Sequence, residues 1–137
     1  MTPEEALEEI EKVLDEIRDL SQSGVPIIVE GEKDAKALRK LNVKGDIHKI
    51  SEDKRTALNF LEKLSTYKRV MILTDFDRAG NELARFCAKH LESLNTEAIV
   101  EPRDKLKALV RKFVKDIEGL PKFVRTVHAS QRPVTRR

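Results

Sequence analysis

Apolar residues in this chain recur at two periods, and the alternation between them outlines a fold before any chemistry is considered. Leu7, Ile10, Leu14 and Ile17 fall at the spacing of one helix face, with Ala6, Val13 and Leu20 beside them. Thr2-Pro3-Glu4-Glu5 gives that helix a start, with Thr2 as cap, Pro3 at the first helical position and Glu5 closing a capping box. The helix is expected to run to about Leu20, where Ser21-Gln22-Ser23-Gly24 breaks it, and to pack on the body of the domain. From Val25 onward, short apolar runs at residues 25–29, 46–50, 69–73 and 98–100 predict strands; Pro26 is tolerated near the start of the first and Pro102 stops the last. Helical spacing fills the gaps. It covers residues 34–41, then Ala57, Leu58, Leu61 and Leu64 behind Ser51 as cap, then Leu83, Phe86, Cys87 and Leu91. A last helix is expected at residues 105–117, carrying Leu106, Leu109, Val110, Phe113 and Ile117.

Repeated strand–helix units predict a single α/β domain: a four-stranded, mainly parallel sheet flanked by helices, joined by right-handed crossovers, with an extra N-terminal helix. The chain divides into an amphipathic helix over 1–22, the sheet domain with its C-terminal helix over 23–118, and a basic tail over 119–137. That tail holds Pro121 and Pro133 and few apolar residues, so partial order is expected there, with Phe123 and Val124 as the residues able to dock it.

Composition narrows the chemistry. With no Trp and one Tyr among 137 residues, the core is aliphatic and a broad aromatic platform for stacking bases is missing. The net charge is only +3, yet residues 1–20 hold eight acidic and two basic side chains, while Lys122, Arg125, Arg132, Arg136 and Arg137 stand in the tail without an acid. Such asymmetry points to a nucleic-acid contact or simply to a solvated tail. Cys87 is the only cysteine, which rules out an internal disulfide and a Cys-rich zinc site; its place on an apolar helix face reads as a buried, inert thiol. His48, His90 and His128 share no ligand spacing. No apolar run approaches 18 residues and the amino terminus is acidic, so no membrane partner and a cytoplasmic location are expected.

Two stretches carry the candidate chemistry: PIIVEGEKD at residues 26–34 and VMILTDFDRAG at residues 70–80. The first delivers Glu30 and the second Asp75 and Asp77. If both runs are neighbouring parallel strands, these carboxylates meet at the carboxyl edge of the sheet, where open α/β folds place ligands. Clustered carboxylates raise one another's pKa unless a cation sits among them, and all-oxygen ligation suits Mg²⁺ or Mn²⁺. Phe76, between the two aspartates, would point into the core, and Gly80 would allow close backbone approach. Plainer readings stand beside these. Asp75 and Asp77 can simply turn the chain and cap the next helix, Glu30 can be an exposed loop residue, and Asp34 can be a helix cap as readily as an outer ligand. The D-x-D of haloacid-dehalogenase phosphatases continues into a Thr, whereas Arg78 and Ala79 follow here.

Val29-Glu30-Gly31 with Asp34, followed some forty residues later by Thr74-Asp75-Phe76-Asp77-Arg78-Ala79-Gly80, resembles the Toprim domain over about residues 24–101. The family includes topoisomerases, bacterial-type primases, the bacterial 5S ribosomal-RNA maturase and small stand-alone proteins, and D-x-D-R-A-G is closest to its primase and maturase form. The resemblance implies a Toprim-type, Rossmann-like fold. It also implies Glu30 as general acid or base, Asp75 and Asp77 holding Mg²⁺ (or Mn²⁺) with Glu30 beside them, and Gly31 and Gly80 as structural members of the motifs. Neither the nucleophilic-Tyr domain of a topoisomerase nor the accessory regions of a primase is expected within these 137 residues, which resemble the small stand-alone proteins. Two functions follow: Mg²⁺-dependent phosphodiester chemistry, with RNA cleavage or processing favoured over DNA, or a non-catalytic RNA-binding module within a larger RNA-processing or ribosome-associated assembly. Arg78 is the first candidate for holding a phosphate, with Lys33 and Arg85 named after it; for Lys33, Lys36, Arg39, Lys40 and Arg85, on the two helices nearest the site, a solvated helix face is the favoured reading over a phosphate contact.

Overall fold

The structure, a computed structural model, describes residues 1–50 and 53–131. Ser51, expected to cap the third helix, and Arg132, Pro133, Arg136 and Arg137 of the expected tail lie outside the described residues. In chain order the elements are α1 (Pro3–Gln22), β1 (Ile27–Val29), α2 (Glu32–Lys40), β2 (Ile47–Lys49), α3 (Lys54–Leu64), β3 (Arg69–Ile72), α4 (Arg78–Ser93), β4 (Glu97–Ile99), α5 (Glu101–Val110), a single 3₁₀ turn (Ile117–Gly119) and α6 (Leu120–Gln131).

The four strands pair in the order β2-β1-β3-β4, every pair parallel. The chain steps outward from β1 to β2, then crosses back over β1 to β3, so the strand order reverses between β1 and β3. Their carboxyl ends therefore flank the topological switch point, where such sheets leave a crevice.

Alternation along these short strands feeds two cores. Ile27, Val29, Met71, Leu73 and Ile99 face a layer built from α1, α2, α5 and α6, with Ile10, Leu14, Leu38, Leu106 and Leu120 among its buried residues. Ile28, Val70, Ile72 and Ala98 face α3 and α4, where Leu61, Cys87 and Leu91 are fully covered. Phe76 is 7% exposed and belongs to the first core, as its place between two aspartates predicts. The Cys87 thiol is pushed up to about 12, chiefly by burial, in keeping with an inert side chain.

The expected capping box at α1 is present: Thr2 N–H donates to Glu5 Oε1 at 2.8 Å and Glu5 N–H to Thr2 Oγ1 at 3.1 Å. Two expectations need correction. The helix read at residues 105–117 stops at Val110 and begins earlier, at Glu101, since Pro102 sits in its first turn, where no N–H is required, instead of merely ending the strand. Residues 119–131 are no tail. Leu120, Phe123, Val124 and Val127 repeat at i, i+3, i+4, i+7; α6 lays the first three on the first core, and Val127 is buried beside them in the helix. His128 Nε2 and Ser130 Oγ reach Glu11 Oε2 and Glu4 Oε2 at 3.3 and 3.4 Å, tying α6 to the acidic helix α1.

Candidate functional site

The site begins where β3 runs out. Leu73 N–H still donates to Ile28 O at 2.8 Å, holding the β1 and β3 ends together past the last strand residue. Thr74, fully buried, then donates from Oγ1 to Gly80 O at 2.7 Å, which closes the β3–α4 loop. Asp77 is the N-cap of α4, its Oδ1 accepting from Gly80 N–H at 2.7 Å. The chain packs so tightly on itself that a Cβ on Gly80 would lie 1.9 Å from Asp75 O, so only glycine fits. Gly31 carries no such constraint: its backbone is extended and a Cβ would meet nothing closer than Asp34 Oδ2 at 3.9 Å.

Glu30, at the end of β1, accepts Asp75 N–H on Oε2 at 2.7 Å, so the two motifs touch across the switch point. Asp34 enters from the first turn of α2, where its Oδ2 accepts Gly31 N–H at 3.0 Å; it caps the helix and also joins the acidic cluster. Asp75 Oδ1 accepts Ile117 N–H at 3.3 Å. Burial first, then the charges of Asp34 and Glu30, push the Asp75 carboxyl up to about 7, against a small opposing pull from the Ile117 hydrogen bond. Asp34 is raised as well, by burial above all, with the Gly31 hydrogen bond opposing and Glu30, Asp116 and Glu118 adding repulsion.

The carboxylates do not all share one cavity. Asp75 and Asp77 line a depression of about 310 Å³ with Asp116, on the side of the segment before α6. Glu30 opens instead onto an apolar hollow of about 410 Å³ walled by Ile50, Leu83 and Phe86, with Lys54 at its rim. Among the described residues no three Asp, Glu, His or Cys side chains close around one point. A hard divalent cation still fits the donor set: it takes one or two carboxylates and keeps water for the rest of its shell. Concentrated negative charge around the half-buried Asp75 is what such an ion would relieve.

Four participants escaped the reading of the sequence. Arg103, from the first turn of α5, is 3% exposed and grips the loop from behind. Its Nε donates to Thr74 O at 3.1 Å and to Thr74 Oγ1 at 2.9 Å, and its Nη2 to Asp75 O at 2.5 Å and Asn81 Oδ1 at 2.6 Å. A buried guanidinium with this many acceptors fixes the loop and sets positive charge behind the carboxylates. Asn81 takes part as one of those acceptors. Asp116 and Glu118 add acid from a segment more than eighty residues after Glu30. An arginine early in a helix, or an acid before a turn, offers no local pattern to single it out.

The candidate cations divide. Arg78 is 94% exposed and lies 3.3 Å from Glu82, pointing into solvent. Lys33, Lys36, Lys40 and Arg85 are exposed too. Arg39 is taken up by the fold, donating to Val43 O and Gly45 O at 2.9 and 2.7 Å.

Comparison with known proteins gives this geometry its setting. The Toprim domain model matches residues 25–109, which is β1 through most of α5. A UPF0292 protein of Methanosarcina barkeri is 35% identical over 119 residues, covering 86% of this chain and 82% of that protein. A UPF0292 protein of Pyrococcus abyssi is 40% identical over 110 residues, 80% of each. Among solved structures, a putative protein from Aquifex aeolicus superposes with a TM-score of 0.61 at 24% identity, over 79% of this chain and 94% of that one, a likeness of fold.

Proposed function

Because the chain belongs to the Toprim family, whose domains work on nucleic acids and generally bind Mg²⁺ through acidic residues, we propose that it carries out Mg²⁺-dependent phosphodiester chemistry, most simply the cleavage or processing of RNA. The observation that supports this most is the 2.7 Å bond from Asp75 N–H to Glu30 Oε2, which joins the two motifs at the switch point of the sheet.

In this reading Asp75 and Asp77 hold Mg²⁺, with Glu30 alongside and Asp34 in the outer ring. The ion, when bound, supplies positive charge against the phosphate oxygens. Glu30 moves the proton: one carboxylate oxygen is pinned by Asp75 N–H, and among the described residues no hydrogen bond ties the other, Oε1. Arg103 keeps Thr74 and Asp75 in place during the reaction, and Thr74 holds the loop closed over Gly80.

A second reading, a metal-independent RNA-binding module within a larger assembly, draws on a different observation: Glu30 and the aspartates open onto separate hollows. Purified protein incubated with single-stranded and structured RNA and DNA, in Mg²⁺, Mn²⁺ or EDTA, decides between them. The nuclease reading expects cleavage with metal, none in EDTA, and none by Asp75→Ala or Glu30→Ala protein that remains folded. Tight binding in EDTA without cleavage under any condition gives the answer to the module.

A further inference from the structure

Sequence patterns direct attention to Arg78 for phosphate binding, but the structure places other cations at the carboxylates. Between α5 and the 3₁₀ turn runs Arg111-Lys112-Phe113-Val114-Lys115-Asp116. This segment lines the 310 Å³ depression: Arg111, Val114, Lys115 and Asp116 share its lining with Asp75 and Asp77.

The wall is fixed, not a loose loop. Val114 and Ile117 are buried in the first core, at 8% and 0% exposure. Phe113 stacks on Phe123 of α6 with ring centroids 5.3 Å apart. Ile117 N–H bonds directly to Asp75 Oδ1. Arg111 and Lys115 themselves are exposed, and among the described residues neither lies within 4.0 Å of a carboxylate oxygen. The contrast with Arg78 is one of pairing, since Arg78 lies 3.3 Å from Glu82. Two cations without a carboxylate partner among the described residues, lining one depression with Asp75, Asp77 and Asp116, make a place for a group that is anionic towards the cations and able to share a metal cation with the acids. A phosphodiester does both.

We propose that Arg111 and Lys115 form the phosphate clamp of this site, binding the backbone of a single-stranded nucleic acid at the scissile position. The inference rests on the nucleic-acid reading above and deepens it by assigning the contact to the segment after α5, outside the 25–109 stretch that matches the family model. A volume near 310 Å³ sits at the small end of ligand sites, with room for one phosphodiester and its sugar. Lys and Arg here position the backbone without reading its sequence.

The test is a salt series of anisotropy titrations with a fluorescent single-stranded oligonucleotide, as RNA and as DNA, in EDTA so that no cleavage intervenes. Wild type is compared with Arg111→Gln/Lys115→Gln and with Arg78→Gln/Arg85→Gln, each checked for an unchanged Tm. Two lost phosphate contacts, at about 0.7 each, flatten the log–log salt slope by about 1.4 and weaken binding about 25-fold at 0.1 M salt. The Arg78/Arg85 pair is expected to change neither. A clamp variant that keeps the wild-type slope and affinity overturns the assignment, as does a wild type that binds neither oligonucleotide. If the clamp variant loses slope but wild type never cleaves with Mg²⁺, the clamp stands and the catalytic reading falls; cleavage with an unaltered slope gives the reverse.

Discussion

At the scale of single residues, Asp75 is where structure and function pull in opposite directions. Its carboxyl is ordinary in the unfolded chain, near 3.8, and is pushed up to about 7 in the folded one by burial and by Asp34 and Glu30. A raised pKa means that folding favours the protonated form. The stability this contributes is full below about pH 3.8 and is lost as pH rises through about 7. Metal-free protein is therefore expected to melt lower at pH 8 than at pH 5 on account of this group. Asp75→Asn removes the penalty, so its Tm in EDTA should exceed wild type at pH 8 by a few degrees, roughly what 1 kcal/mol or so yields in a domain this size. The gap should close towards pH 4. Mg²⁺ should raise the Tm of wild type and leave that of the variant unmoved; equal Tm values for the two proteins across the whole range would contradict this account. Glu30, Asp75, Asp77 and Gly80 were legible in the sequence because each belongs to a motif of a few residues at the end of an apolar run. Arg103 and Asp116 were not, because only the tertiary fold carries α5 and the 3₁₀ turn to that loop.

Secondary-structure elements were legible in proportion to how fully their sequence expresses one period. All four strands and the helices between them fall where alternating apolar runs put them, and α1 has its capping box. The differences gather after β4, where Pro102 reads as a stop and Pro121 as part of a partly ordered tail, although each occupies the first turn of a helix. The consequence for α6 is mechanical. With Val127 buried, Phe123 and Val124 packed on the first core, Phe123 stacked on Phe113 and Ser130 reaching α1, deletion from Lys122 onward strips a covering from that core. The truncated protein should lose Tm outright, unlike a protein shorn of a solvated tail. Phe123→Ala should cost about 1–3 kcal/mol in urea unfolding, less than the loss of a fully buried Phe because the ring is only partly covered. Full-length Tm in the truncated protein would mean that α6 contributes no packing.

On the scale of the whole molecule, the order β2-β1-β3-β4 does the decisive work. By reversing between β1 and β3 it opens the sheet at one edge and brings Glu30 to Asp75 from forty-five residues away. Composition and charge said little about this, since a net +3 is shared by proteins of every function. Toprim domains generally bind Mg²⁺ through acidic residues, and the proposed function places such an ion at that edge. The most direct measurement is an electron paramagnetic resonance titration of metal-free protein with Mn²⁺ at pH 8. The account predicts about one bound Mn²⁺ per chain, displaced by Mg²⁺ and lost in Asp75→Asn protein that remains folded. Mn²⁺ that stays free, or that binds the variant as it binds wild type, would contradict it.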